Sequence, residues 1–191
     1  MESMHYIGIK VSATIRLHQI KYFEQTGVPP VNRGMLMFYN MGDLDKIETE
    51  NSILDIEIGK SYFQNFDKYP LPLDVALPIF QWGVIFRDGK LVKLINNLRA
   101  EDLTDEARFE QIAENRFRLE ASTYLEGYYL YKDDLIRLEN VEQQALRESA
   151  KALSNVIDNQ GFTVSFYHLD SLSLSAFPQD SLEQIIEAFR K

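Results

Sequence analysis

The chain has 191 residues, 45% of them hydrophobic and 12% aromatic, with a formal net charge of −9 and no cysteine. That composition supports one domain, or one domain carrying an insertion, and lies far from a disordered chain. The acidic balance repels phosphate backbones and argues against a nucleic-acid partner, while the missing thiols exclude disulfides and thiolate metal sites and leave the compartment open.

The opening MESMHYIGIK lacks the apolar stretch and small-residue cleavage site of a signal peptide. A strongly patterned strand follows at once. So abrupt a domain start leaves room for an exported parent whose own N-terminus has been lost. Residues 11–20, VSATIRLHQI, alternate: Ala13, Ile15 and Leu17 share one face, and Ser12, Thr14, Arg16 and His18 share the other. An Arg and a His side by side on that second face read as lining the inside of something. GMLMFYN (34–40) and LDVALPIFQW (73–82) are near-continuous apolar runs, the pattern of strands buried on both faces. Between them, 59–68 reads as a short helix with Tyr62, Phe63 and Phe66 inward, stopped by the Tyr69-Pro70 step.

From 84 to 140 the pattern changes. Asp88-Gly89 between two alternating runs signals a β-hairpin, and FRLEA (117–121) and YYLYKDDLIRLE (128–139) suggest further antiparallel strands. Residues 99–116 are charged and read as partly helical. A clean amphipathic helix is expected over 141–158, with Val141, Ala145, Leu146, Leu153, Val156 and Ile157 on one face and Gly161 just beyond. FTVSFYHL (162–169) is the fourth main strand. The last helix, 181–190, opens with Asp180 and Glu183 as an Asx version of a capping box and buries Leu182, Ile185, Ile186 and Phe189.

Strands alternating with helices through long crossovers define an α/β class. A closed (β/α)8 barrel needs eight strands and usually about 250 residues. The expectation is therefore a partial (β/α)8 (TIM-like) barrel: four parallel strands with crossover helices, plus an antiparallel β-hairpin insertion. It forms one α/β domain over 1–191, with the β-rich insertion at 84–140. No apolar run approaches the about 18 residues of a membrane span.

In parallel α/β folds ligands bind outside the carboxyl ends of the strands. Here those ends are Arg16-His18-Gln19, Phe38-Tyr39-Asn40, Phe80-Gln81-Trp82 and Tyr167-His168-Asp170. Each joins a ring to a hydrogen-bonding group, the combination a sugar requires for its C–H faces and hydroxyls. Trp82 is the only tryptophan. Each residue also has a plainer reading. Phe38, Tyr39 and Phe80 suit core packing, Arg16 a surface or ion-pair role, His18 a structural hydrogen bond, and Asp170 the cap of Ser171–Ser175.

Glycoside hydrolysis needs two carboxyls about 5–10 Å apart across a cleft. Asp43, just past the second strand end, and Asp170 are the candidates. The other acidic residues, Asp45, Glu48, Glu50, Asp55, Glu57, Asp133 and Asp134, read as lying on solvated loops. DLDKIETEN lacks the turn glycine of an EF-hand. His5, His18 and His168 have no metal-ligand spacing. No P-loop, G-x-G-x-x-G or G-x-S-x-G occurs, so neither metal nor cofactor is expected.

Three blocks, SATIRLHQIKY, PPVNRGMLMFYNMG and YPLPLDVALPIFQWGVIFRDGK, together resemble the later strands of a largely uncharacterised family of exported bacterial proteins with a glycoside-hydrolase-like TIM barrel. GYYLYKDDLIRLE belongs to the same pattern. The resemblance covers most of this chain but only the C-terminal half of the family's length. It implies a glycan-binding or glycan-cleaving protein, with a carboxylate acid/base mechanism as the default chemistry and the earlier strands lying outside this sequence. Arg16, His18, Tyr39, Asn40, Trp82, His168 and Asp170 would then line the mouth. A half barrel exposes two sheet edges, so self-association is expected. Two other readings stand beside this one. The first is a non-enzymatic interaction protein that uses the 84–140 segment as its contact surface. The second is a truncated gene product with no activity of its own.

Overall fold

The computed structural model describes residues 8–157 and 161–190. His5 and the expected helix end at Asp158 lie outside them. Eleven strands follow the chain: β1 (Ser12–Arg16), β2 (Arg33–Met37), β3 (Leu73–Pro78), β4 (Trp82–Arg87), β5 (Lys90–Asn96), β6 (Phe109–Ala113), β7 (Arg116–Leu119), β8 (Thr123–Leu125), β9 (Tyr128–Leu130), β10 (Leu135–Glu139) and β11 (Val164–Tyr167). They fall into two compact units. One comprises the chain up to Met41, Leu54–Pro78 and the chain from Glu142 onward; the other comprises Gly42–Ile53 and Ile79–Val141.

The first unit is built on a four-stranded sheet ordered β1-β2-β3-β11, every neighbouring pair parallel. Its register creates two chemically different faces. Ile15, Leu36, Val75 and Val164 lie in one row, with Phe38 and Leu77 further along that face, and of these only Val164 keeps appreciable exposure. The amphipathic helix Gln143–Val156 buries Leu146, Ala150 and Leu153 and packs against the helices Ile56–Lys60 and Gln179–Glu187. The other face carries Thr14 beside Met35 and Asp74, then Arg16 beside Met37, Ala76 and Ser165. There Thr14 and Arg16 are exposed and both methionines are half-buried.

Gly34 sits tightly in the buried face. A Cβ at this position would meet Ile15 Cγ1 at 2.7 Å and Leu73 Cδ2 at 2.9 Å. Gly34→Ala is therefore expected to destabilise the chain by about 1–3 kcal/mol through overpacking, although alanine is otherwise the better strand residue. A denaturation midpoint at or above wild type would show that the pocket has slack.

The second unit is a five-stranded antiparallel sheet ordered β5-β4-β10-β7-β6, with β8 and β9 as a separate hairpin. Ile85, Ile95, Leu98, Phe109, Phe117, Leu119, Leu130 and Ile136 form its core. Asp88 (φ 50°) and Gly89 (φ 72°) make the expected left-handed two-residue turn between β4 and β5.

Several boundaries differ from the sequence expectation. The first strand stops at Arg16, where Gln19 accepts the Arg16 N–H at 2.8 Å and the helix Leu17–Lys21 begins. His18 is therefore a helical residue. The second strand spans Arg33–Met37, which leaves Tyr39 and Asn40 beyond its end. The third ends at Pro78, whose missing N–H cannot extend a central ladder. Phe80 and Gln81 thus lie in a connector, and Trp82 opens an antiparallel strand instead of closing a parallel one. The helix expected over 59–68 forms at Ile56–Lys60, because Asp55 caps the N–H groups of Glu57 and Ile58 and Asn65 turns left-handed (φ 69°). Residues 99–116 resolve into a 3-10 turn, Ala100–Leu103, and β6. The last helix begins at Gln179 with Pro178 at its cap; Asp180 makes no capping bond but sits in the first turn, where its charge suits the helix dipole.

Candidate functional site

The carboxyl ends of β1 and β2 frame a cavity of about 250 Å³ lined by Arg16, Leu17, His18, Met37, Tyr39, Asn40 and Tyr62. Its construction follows from register. Arg16 and Met37 are direct partners across the β1–β2 ladder. Tyr39 lies two residues beyond Met37 on the same side, and Asn40 then takes a left-handed conformation (φ 55°), tolerable for asparagine, that turns the chain away. Leu17 is buried as the floor while its helical neighbour His18 stays exposed. Tyr62 reaches the cavity from the turn after the helix Ile56–Lys60. Lys21 fixes that turn, with Nζ donating to the Ser61 carbonyl at 3.0 Å and lying 5.0 Å from the Tyr62 ring centre.

Tyr39 stacks face to face on Tyr167, at 5.3 Å between ring centres and 7° between planes. Burial pushes the Tyr39 phenol above its usual pKa, and the neighbouring Tyr167 adds to the effect. Tyr39 is thus a neutral hydroxyl at physiological pH, able both to donate and to accept. His168 Nε2 lies 2.8 Å from Asp170 Oδ2, and Asp170 Oδ1 accepts the Ser173 N–H at 2.7 Å as the cap of the helix Ser171–Ala176. Asp170 therefore both orients the imidazole and caps the turn.

Arg16, His18, Tyr39 and Asn40 meet around this one cavity, and Tyr167 joins them through its stack on Tyr39. Gln19 spends its side-chain oxygen on the Arg16 backbone. Trp82 is placed otherwise. Its Nε1 donates to Glu139 Oε2 at 2.8 Å in the antiparallel unit, and its ring lies 5.2 Å from that of Phe80. Asp43 is half-exposed, and a hydrogen bond with Lys46 holds its carboxyl below the usual carboxylate range, which is the reverse of what a general acid needs. Met37 and Tyr62 were not anticipated as lining residues. The Arg16–Met37 pairing could have found the first, because parallel partners share a face. Nothing in the local pattern could have found the second. Among the described residues no group of three or more His, Asp or Glu is placed to hold a metal ion, and no helix is long and apolar enough to cross a membrane.

No protein-family model matches the chain, and no curated protein is similar to it in sequence. Solved structures are similar in fold. A chitinase from Chromobacterium violaceum superimposes with a TM-score of 0.54 at 10% identity, over 97% of this chain and 58% of that one. The spore cortex-lytic enzyme SleL of Bacillus cereus gives 0.48 at 16% identity, over 95% and 41%. A Group IV chitinase from Ostrinia furnacalis gives 0.48 at 10% identity, over 100% and 60%. The chain shares its α/β fold with the Chromobacterium chitinase and spans 58% of the length of that enzyme.

Proposed function

We propose that the cavity at the ends of β1 and β2 is a sugar-binding site, and that the chain is part of a glycoside-hydrolase-like barrel that binds or cleaves a glycan. One observation carries this reading: a cation, an imidazole, an amide and a phenol ring converge on a single cavity at the strand ends where α/β folds hold their ligands. The fold of the Chromobacterium chitinase supports it, and so does the resemblance to exported bacterial barrel proteins. The role assigned to this chain is recognition. Asp170 is engaged by His168 and Ser173, and Asp43 is an exposed, readily ionised carboxylate. The Asp43 carboxyl is held below the usual carboxylate range, the reverse of what a glycosidase acid needs, and Asp170 is committed to its two partners, so the acid/base pair is not assigned to them.

A chito-oligosaccharide is the first probe, because the Chromobacterium structure similar to this chain is a chitinase. Titration followed by NMR should shift the resonances of His18, Tyr39 and Asn40. Arg16→Ala should weaken binding about tenfold, the value of one charged hydrogen bond. Unmoved cavity resonances across chitin-, cellulose- and peptidoglycan-derived oligomers would end the reading. A second reading, an interaction surface on the antiparallel unit, is favoured by the exposed Tyr124, Tyr128, Tyr129 and Tyr131 of the β8–β9 hairpin. Perturbation confined to those tyrosines on adding a protein partner would support it instead.

A further inference from the structure

We propose that the cavity at the ends of β1 and β2 selects a sugar that carries a carboxylate. This rests on the sugar-binding reading and names the class of sugar. The formal net charge of the chain is −9, yet no Asp or Glu is among the residues that line this cavity. Its one permanent charge is the Arg16 guanidinium, and the His18 imidazole shares the cavity with it. Lys21 adds to the same positive field, with Nζ lying 5.0 Å from the centre of the Tyr62 ring in the cavity wall.

Carboxylates on the surrounding elements are already committed. Asp74 stands two residues before Ala76 on the face of the sheet that carries Arg16. Its two oxygens take the Arg33 guanidinium at 2.9 and 3.0 Å, and Oδ1 also accepts the Thr163 N–H at 2.7 Å. Asp170 is held by His168 and the Ser173 N–H. Glu57, on the helix that leads to Tyr62, pairs with Lys60 at 2.6 Å. Among the described residues no carboxylate forms an ion pair with Arg16, His18 or Lys21. A cation left without a countercharge in so acidic a chain calls for an anion from outside. The planar guanidinium takes both oxygens of a carboxylate in two parallel hydrogen bonds, while the Asn40 amide and the Tyr39 hydroxyl are suited to the hydroxyls of a sugar ring. One permanent cation balances the single charge of a carboxylate, whereas a phosphate monoester brings about two.

Two matched pairs of ligands test this by NMR titration: cellobiose against its glucuronate counterpart, and chitobiose against N-acetylglucosaminyl-N-acetylmuramate. In at least one pair the carboxylate form should bind about tenfold or more tightly than its neutral partner, the value of one charged hydrogen bond. Added salt should narrow the difference. Arg16→Gln keeps a donor but not the charge; it should erase the preference and cost the neutral sugar less than the acidic one. Arg16→Lys keeps the charge but not the fork and should retain part of the preference. Equal binding of neutral and acidic sugars in both pairs overturns this proposal and leaves the sugar site standing, whereas binding of none of them overturns both. A preference that survives Arg16→Gln, or a phosphorylated cellobiose that binds more tightly than the glucuronate form, also overturns it. Arg16 is exposed at a strand end, so its variants should keep the fold, and circular dichroism matching wild type confirms this.

Discussion

Replacing Arg137 by methionine is expected to cost about 3–5 kcal/mol, the penalty for leaving a buried charge without its partner. Arg137 and Glu139 are 1% and 2% exposed and sit on β10 beneath the loop Gly42–Ile53. Arg137 Nε donates to Glu139 Oε1 at 2.6 Å, while its two terminal nitrogens donate to the Lys46 and Leu44 carbonyls at 2.5 and 3.3 Å. Its guanidinium also lies 5.0 Å from the Phe86 ring centre. Glu139 Oε2 accepts from Ser52 N, Ser52 Oγ and Trp82 Nε1 at 3.0, 2.6 and 2.8 Å. Each guanidinium nitrogen of Arg137 and each carboxylate oxygen of Glu139 has a partner, so this cluster fastens the loop to the antiparallel sheet. The single tryptophan is part of it, and its fluorescence reports denaturation of this unit directly.

Two comparisons separate the lost charge partner from the lost loop tie. Arg116 also holds the loop, through the Ile47 and Thr49 carbonyls, but its side chain is 21% exposed. Arg116→Met should therefore cost only about 1 kcal/mol, the ordinary value of a hydrogen bond. Adding Glu139→Gln to Arg137→Met should recover part of the loss, because a neutral amide oxygen can still accept from Ser52 and Trp82 without a countercharge. Equal costs for Arg137→Met and Arg116→Met, or a double variant less stable than Arg137→Met, would contradict this account.

The parallel sheet was legible because its strands are written as apolar runs or strict alternation, and burial in a wall leaves few other patterns. The Asp88-Gly89 turn was legible because only a few residues accept its backbone angles. Boundaries were less so. LDVALPIFQW is apolar throughout, yet it spans the end of one sheet and the start of another; hydropathy cannot register a change of partner, and only Pro78 marks the break. Arg16 and His18 share a face in an extended strand, but the Gln19 side chain captures the Arg16 N–H and turns the chain into a helix. Both still reach the same cavity because the helix starts at the strand end. The buried Arg137–Glu139 pair was invisible because IRLE on an alternating strand reads as a solvated edge. Its burial depends on a loop about 90 residues earlier in the chain, a tertiary fact with no local signature.

Tyr39→Ala is expected to weaken oligosaccharide binding by roughly 30- to 100-fold, corresponding to about 2–3 kcal/mol for loss of an aromatic face against a sugar ring. Tyr39 has two readings that this substitution separates. As a packing residue its ring supports Tyr167, and the variant would lose stability while any ligand bound as before. As a pocket residue its ring and hydroxyl meet the ligand, so affinity falls by more than the denaturation midpoint explains. Tyr39→Phe divides the effect further. It keeps the ring and the 7° stack on Tyr167 and removes only the hydroxyl, so its cost in affinity should stay at tenfold or less. Tyr167→Ala, at the more exposed end of the stack, removes support from Tyr39 without removing its ring and should weaken binding less than Tyr39→Ala. Isothermal titration on each folded variant gives the order directly. If Tyr39→Ala binds as wild type while melting earlier, Tyr39 belongs to the core, and the sugar site loses the ring on which its geometry depends.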